Sequence, residues 1–164
     1  MNIGIDLDGV LADFDSAARA LHAGKDLASL SDDDFWLPIN AEGEAFWTGL
    51  AKTPLADEIV KTAVDAVGLD RVFLVSCPSR NPISRSGKHK WVLEHFPELA
   101  PRLILIKHKY LLAPNMLLID DMKPNIDAFR DHGGRALFWP TDENEAVPTP
   151  EMALAVLRDL VLTV

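Results

Sequence analysis

A single cysteine, Cys77, stands among the 164 residues, which excludes a disulfide within the chain and suits a reducing compartment. No apolar run reaches the roughly 18 residues that a membrane helix needs. Met1 leads straight into an apolar stretch, without the basic segment of a secretory leader, so a cytoplasmic protein with no membrane partner is expected. Positive charge is scarce as well: 16 Lys and Arg against 25 Asp and Glu give a net charge of −9. A polynucleotide partner is therefore not expected, because such binding rests on many Lys and Arg that neutralise phosphates. The densest basic stretch, Arg80 to Lys90, with Lys107 and Lys109 as a second pair, suits a small anion held locally. Internal repeats are absent. Only Pro140 to Pro150, acidic and proline-bearing, reads as a low-complexity surface loop.

What the chain does have is a hydrophobic content of 48%, too high for disorder and enough for one sizeable core. Five short apolar runs punctuate it: Ile3 to Leu7, Val72 to Ser76, Leu103 to Ile106, Met116 to Ile119 and Ala136 to Trp139. They are continuous rather than alternating, as strands buried on both faces are. Helical spacing lies between and after them, in Asp57 to Val67, around Trp91 to Phe96, in Pro124 to Arg130 and in Pro150 to Leu162. Strands alternating with helices predict an α/β, Rossmann-like, three-layer fold with a parallel five-stranded sheet. About 64 residues separate the first two strands, too many for one crossover. Residues 1–13 and 54–164 are therefore read as the core, and 14–53 as a small inserted helical cap. The cap carries a helix from Ser16 to Ala23, an acidic helix start at Ser31-Asp32-Asp33-Asp34, and the aromatic pairs Phe35-Trp36 and Phe46-Trp47.

Polar groups gather at the predicted strand ends. Asp6 and Asp8 leave the first strand just before Gly9, where the backbone can turn sharply. Two acids spaced in this way fit a nucleophile and its proton shuttle, whereas a plain turn with a helix cap needs only one. Ser76 and Cys77 close the second strand, Lys88 precedes the Trp91 helix, and Asp120-Asp121 closes the fourth strand. With strand order 3-2-1-4-5, all of them converge on the crevice at the topological switch point. Arg80, Arg85, Lys107 and Lys109 read equally as solvated charges or as a border of a phosphate entrance. The five histidines have no metal-like spacing.

This set resembles the haloacid dehalogenase (HAD) superfamily, with its Asp-x-Asp, strand-two Ser/Thr, Lys, and acidic pair at strand four. Asp-Leu-Asp-Gly-Val-Leu-Ala-Asp-Phe, Ser-Cys-Pro, Lys-His-Lys-Trp-Val and Leu-Leu-Ile-Asp-Asp are similar to the 5′(3′)-deoxyribonucleotidase branch. The resemblance implies a Mg²⁺-dependent phosphomonoester hydrolase, with a small substrate such as a nucleoside monophosphate. Asp6 would be the nucleophile, Asp8 the acid/base, Ser76 a hydrogen-bond donor to phosphate, and Lys88 the balance for phosphoryl charge. The implied metal residues are Asp6, Asp8 through its backbone carbonyl, Asp120 and Asp121, with the choice within the last pair open. Four acids together also call for a cation on charge grounds alone: each pair at ~4 Å repels by about 4 kcal/mol at an effective dielectric near 20. Phe14 matches a base-stacking position of that branch. Trp36, Phe46 and Trp47 have no one-to-one match and serve either as stacking surface or as cap packing, with Cys77 beside them. A sugar phosphatase and a non-catalytic phosphate-binding protein are the alternatives, and a homodimer is left open.

Overall fold

Strand β1 (Asn2–Ile5) lies at the centre of a sheet whose order is β3-β2-β1-β4-β5, parallel throughout. Its neighbours are β2 (Val72–Ser76) and β4 (Met116–Asp120), while β3 (Leu103–Leu105) and β5 (Arg135–Phe138) form the edges. The computed structural model describes residues 1–141 and 149–162, so most of the predicted Pro140–Pro150 loop lies outside the described residues.

The sequence explains which strands are central. Ile3, Ile5, Leu74, Leu117, Leu118 and Ile119 are fully buried, and each contributes about 1.5–3 kcal/mol relative to exposure. Alternate residues face opposite layers. Ile3, Ile5, Leu117 and Ile119 enter a large cluster with Ile59 and Ala63 of α4 (Ala56–Val67), Trp91 and Val92 of α5 (Ile83–His95), and Leu154 and Leu157 of α7 (Pro150–Val161). Val75, Met116 and Leu118 face the other way, onto Phe129 of α6 (Lys123–Asp131). Among the described residues, no helix is long and apolar enough to cross a membrane.

Between β1 and α4 lie α1 (Phe14–Leu21), α2 (Asp32–Glu42) and α3 (Glu44–Thr48). Asp13 caps α1, its side chain accepting from the Ser16 N–H. Ser31 caps α2, where three aspartates in the first turn suit the positive end of the helix dipole. This stretch is tied down at both ends. Asp13 donates its N–H to the Ala51 carbonyl at 2.8 Å, and Thr53 donates to Leu11 O at 2.9 Å and through its hydroxyl to Val10 O at 2.6 Å. In addition, α3 packs on α5. A Cβ at Gly87 would sit 2.4 Å from the Trp47 Cβ, so only glycine admits that approach. The Trp91 indole N–H donates to Leu50 O at 2.7 Å, and Lys90 pairs with Glu44.

Candidate active site

Two strand ends deliver the acids. Asp6 follows β1 directly, with its N–H bonded to Ile119 O at 2.9 Å, so its backbone still belongs to the sheet. The chain then folds back on itself. Leu11 and Ala12 both donate to Leu7 O at 2.8 Å, and Gly9 takes a φ of 75° that favours glycine. A side chain at Gly9 would also come within 2.2 Å of Asp121 Oδ2, so glycine lets the second strand end approach the first. Asp120 ends β4 fully buried, and Asp121 follows it, half-buried. Carboxylate oxygens of Asp6, Asp120 and Asp121 lie within 4.8 Å of one another.

Lys109, 1% exposed, donates to Asp6 Oδ2 at 2.7 Å and to Asp120 Oδ2 at 2.6 Å. Asp6 Oδ1 accepts the Leu7 N–H at 2.7 Å, so both oxygens of Asp6 are held. Asp120 also accepts from the Met122 N–H and the Asn125 amide. Burial works against the Lys109 ammonium, but the Asp6 and Asp120 carboxylates outweigh it and hold its pKa above that of ordinary lysine. Burial first, then the charge of Asp6, pushes Asp120 up to about 6. Burial, followed by repulsion from Asp6, Asp120 and Asp15, pushes Asp121 up to about 9. One ammonium thus leaves the cluster with negative charge to spare. An all-oxygen donor set with that excess fits a hard divalent cation.

Asp8 stands apart from the three-acid cluster. Its Oδ2 accepts from Lys88 Nζ at 2.5 Å, while Oδ1 is buried without a hydrogen-bond partner. Burial raises the Asp8 pKa, with Lys88 pulling down and Asp6 pushing up. Lys88 is 2% exposed and also donates to Ser76 Oγ at 2.8 Å and Cys77 O at 2.7 Å. Its ammonium lies 5.0 Å from the centre of the Trp47 ring.

A cleft of about 300 Å³ opens over these groups. Asp6, Asp8, Asp121 and Lys109 form its floor, and Phe14, Trp36, Trp47, Cys77, Met122 and Asn125 are among its walls. Lys88, Ser76 and Phe46 are not among the lining residues. The aromatic residues of the insert pack largely on one another. Phe14 stacks on Trp47 at 5.8 Å and meets Phe46 edge-on at 5.6 Å, and Trp36 stacks on Trp47 at 6.4 Å. Phe46 and Trp47 are buried, whereas Phe14 and Trp36 are half-buried.

Neither a protein-family model nor a curated protein matches the chain. Solved structures do. A HAD-family hydrolase from Deinococcus radiodurans, crystallised with bound phosphate and sodium, superposes with a TM-score of 0.55. It is 17% identical, over 95% of this chain and 87% of that one. The fold is that of HAD-family hydrolases. A HAD-family enzyme from Bacteroides thetaiotaomicron, in complex with magnesium and inorganic phosphate, is similar too. Its TM-score is 0.52 and its identity 14%, over 88% of this chain and 96% of that one.

Within this HAD fold, the predicted residues fall into three tiers. Asp6, Asp120 and Asp121 gather at the adjoining ends of β1 and β4, and Asp8 lines the same cleft two residues beyond Asp6. Lys88 is hydrogen-bonded to Asp8 and to Ser76, and neither Lys88 nor Ser76 lines the cleft. Phe14, Trp36, Trp47 and Cys77 form walls, with Cys77 exposed rather than packed away. Sequence reasoning left Lys109 open between a solvated charge and a border of a phosphate entrance, and it missed Asn125. Lys109 carried a usable signal, because it lies four residues past the end of β3, where the connection to β4 leaves the carboxyl edge of the sheet. Asn125 lies just beyond Asp121, in the first turn of α6, where its amide can reach back to Asp120.

Proposed function

We propose that the chain is a magnesium-dependent phosphomonoester hydrolase of the HAD superfamily. The observation that carries this reading is the meeting of Asp6, Asp120 and Asp121 beside Lys109, with Asp6, Asp121 and Lys109 lining an open cleft and Asp120 buried beneath it. Asp6, Asp121 and Asp120 would hold Mg²⁺, which would screen the charge of a bound phosphate against theirs. Support for a phosphate and a cation here comes from the similar structures, one crystallised with phosphate and sodium and the other with magnesium and phosphate.

In the proposed reaction, an Asp6 carboxylate oxygen attacks phosphorus while the ester P–O bond breaks, leaving an aspartyl-phosphate on Asp6. Lys109 offsets the charge of Asp6 and keeps its oxygens oriented. Asp8 gives a proton to the leaving oxygen. Water then attacks phosphorus and loses its proton to Asp8, so that inorganic phosphate departs and the Asp6 carboxylate returns. Positioned proton transfer of this kind contributes roughly 10²–10⁴-fold.

We propose a nucleoside monophosphate substrate, as for the 5′(3′)-deoxyribonucleotidases, with the insert of residues 14–53 acting as a cap over the core of 1–13 and 54–164. The support is the motif resemblance and a cleft wall in which Phe14 and Trp36 offer aromatic surface. A sugar phosphate is the second reading. It is favoured by rings that already stack on one another and by a cleft at the small end of the ~300–1,000 Å³ usual for ligand sites. A panel of nucleotide and sugar monophosphates, assayed with Mg²⁺ and with Asp6→Asn as the blank, tests both. Turnover of nucleotides above sugar phosphates supports the first reading, the reverse order supports the second, and no turnover above the blank removes the hydrolase assignment.

A further inference from the structure

We infer that Trp47, in the insert, and Lys88, in the core, are positioning residues that act together through Asp8; this rests on the reading of Asp8 as proton donor. An ammonium has three N–H donors, and those of Lys88 are matched by three acceptors: Asp8 Oδ2, Ser76 Oγ and Cys77 O. None is left over for a phosphoryl oxygen, and Lys88 does not line the cleft. Neutralising phosphoryl charge at the floor falls to Lys109 instead. The work of Lys88 is to fix one oxygen of Asp8, leaving Oδ1, without a partner of its own, as the atom that exchanges the proton.

Lys88 is itself held from the insert. The Trp47 ring lies 5.0 Å from its Nζ, at cation–π range, and Trp47 is 2% exposed. Gly87, next to Lys88 in α5, lets the Trp47 side chain approach closely enough for that contact. The chain of contacts therefore runs from α3 through the Trp47 face to Lys88 and on to Asp8. An insert placed to choose the leaving group also orients the acid that protonates it.

The test compares kcat/KM for phenyl phosphate with that for p-nitrophenyl phosphate, two esters of similar shape. p-Nitrophenolate leaves without needing a proton, whereas the more basic phenolate needs one. Because kcat/KM reports phosphoryl transfer to the enzyme, the shared second step drops out. Asp8→Asn is the reference and should lower the phenyl ester rate about 10²-fold more than the nitrophenyl rate. Trp47→Leu and Lys88→Met are expected to reproduce that bias by at least about 10-fold, with Trp47→Phe closer to wild type because a ring face remains. Should Lys88→Met fail to fold, the two Trp47 variants decide the matter. Equal losses on both esters, or no loss, would overturn the relay while leaving Asp8 as acid. If Asp8→Asn itself shows no bias, the acid assignment falls and the relay with it.

Discussion

Lys109→Met should be the most damaging substitution of a single charge in this protein. The methionine nearly matches the lysine stem in length, so the change removes charge rather than volume. In the native site the ammonium lies 2.7 Å from Asp6 and 2.6 Å from Asp120. Each contact has a gross Coulomb energy of about 6 kcal/mol at an effective dielectric near 20. Desolvation of all three groups offsets most of that sum. Breaking a buried pair nevertheless costs about 3–5 kcal/mol, because the carboxylates left behind have no counter-charge. For a chain of this size the loss corresponds to a fall in Tm of roughly 6–20 °C. The assay is urea or thermal unfolding in chelator, with Lys107→Met as control, since Lys107 is exposed. The control should stay within about 0.5 kcal/mol of wild type. Asp120 already has a folded pKa raised to about 6, so its charged form is the destabilising one. Without Lys109 that pKa climbs further, and the deficit should grow as pH rises from 5 to 8 and shrink towards 5. A loss below about 1 kcal/mol, or one independent of pH, would refute this electrostatic account of the site.

Two further predictions concern the acids and the insert. Asp121 has a folded pKa of about 9 against an ordinary 3.8, so without metal its ionisation opposes folding. Stability should therefore fall as pH rises from about 4 towards about 9, and millimolar Mg²⁺ should restore more of it at pH 8 than at pH 5. A concentration 100 times Kd would add about 2.7 kcal/mol, read as a Tm shift. Gly87→Ala places a methyl group 2.4 Å from the Trp47 Cβ and should cost about 1–3 kcal/mol in unfolding experiments. It should also displace the Trp47 ring from Lys88, which tryptophan fluorescence would register.

The central strands were legible because burial on both faces leaves no polar alternation, and Ile3 to Leu7, Val72 to Ser76 and Met116 to Ile119 carry that mark plainly. Their order alone brings Asp6, Asp8 and Asp120-Asp121 to one crevice. Other features lie beyond local pattern. Helix α5 begins at Ile83, eight residues before the apolar stretch at Trp91, and runs through Gly87, which weakens a helix by roughly 0.5–1 kcal/mol in isolation. The reason for that glycine is Trp47, forty residues earlier, and nothing near Gly87 announces it. Helix α3, five residues long, is too short for any periodicity. Lys109 reads as one more charge in a basic pair until Asp6 and Asp120 close around it from distant parts of the chain. The aromatic pairs were visible as residues, but their mutual stacking, and the share of each ring that faces the cleft, emerge only from tertiary packing.

The central claim is that phosphorus passes to an oxygen of Asp6. Asp8→Asn should form the covalent species and fail to hydrolyse it efficiently, so rapid quenching with substrate and Mg²⁺, followed by peptide mass spectrometry, reads the claim directly. A phosphoryl group on the peptide that carries Asp6, absent when Asp6→Asn is added, is the expected result. An unmodified Asp6 peptide during active turnover, or phosphoryl on another residue, would contradict it.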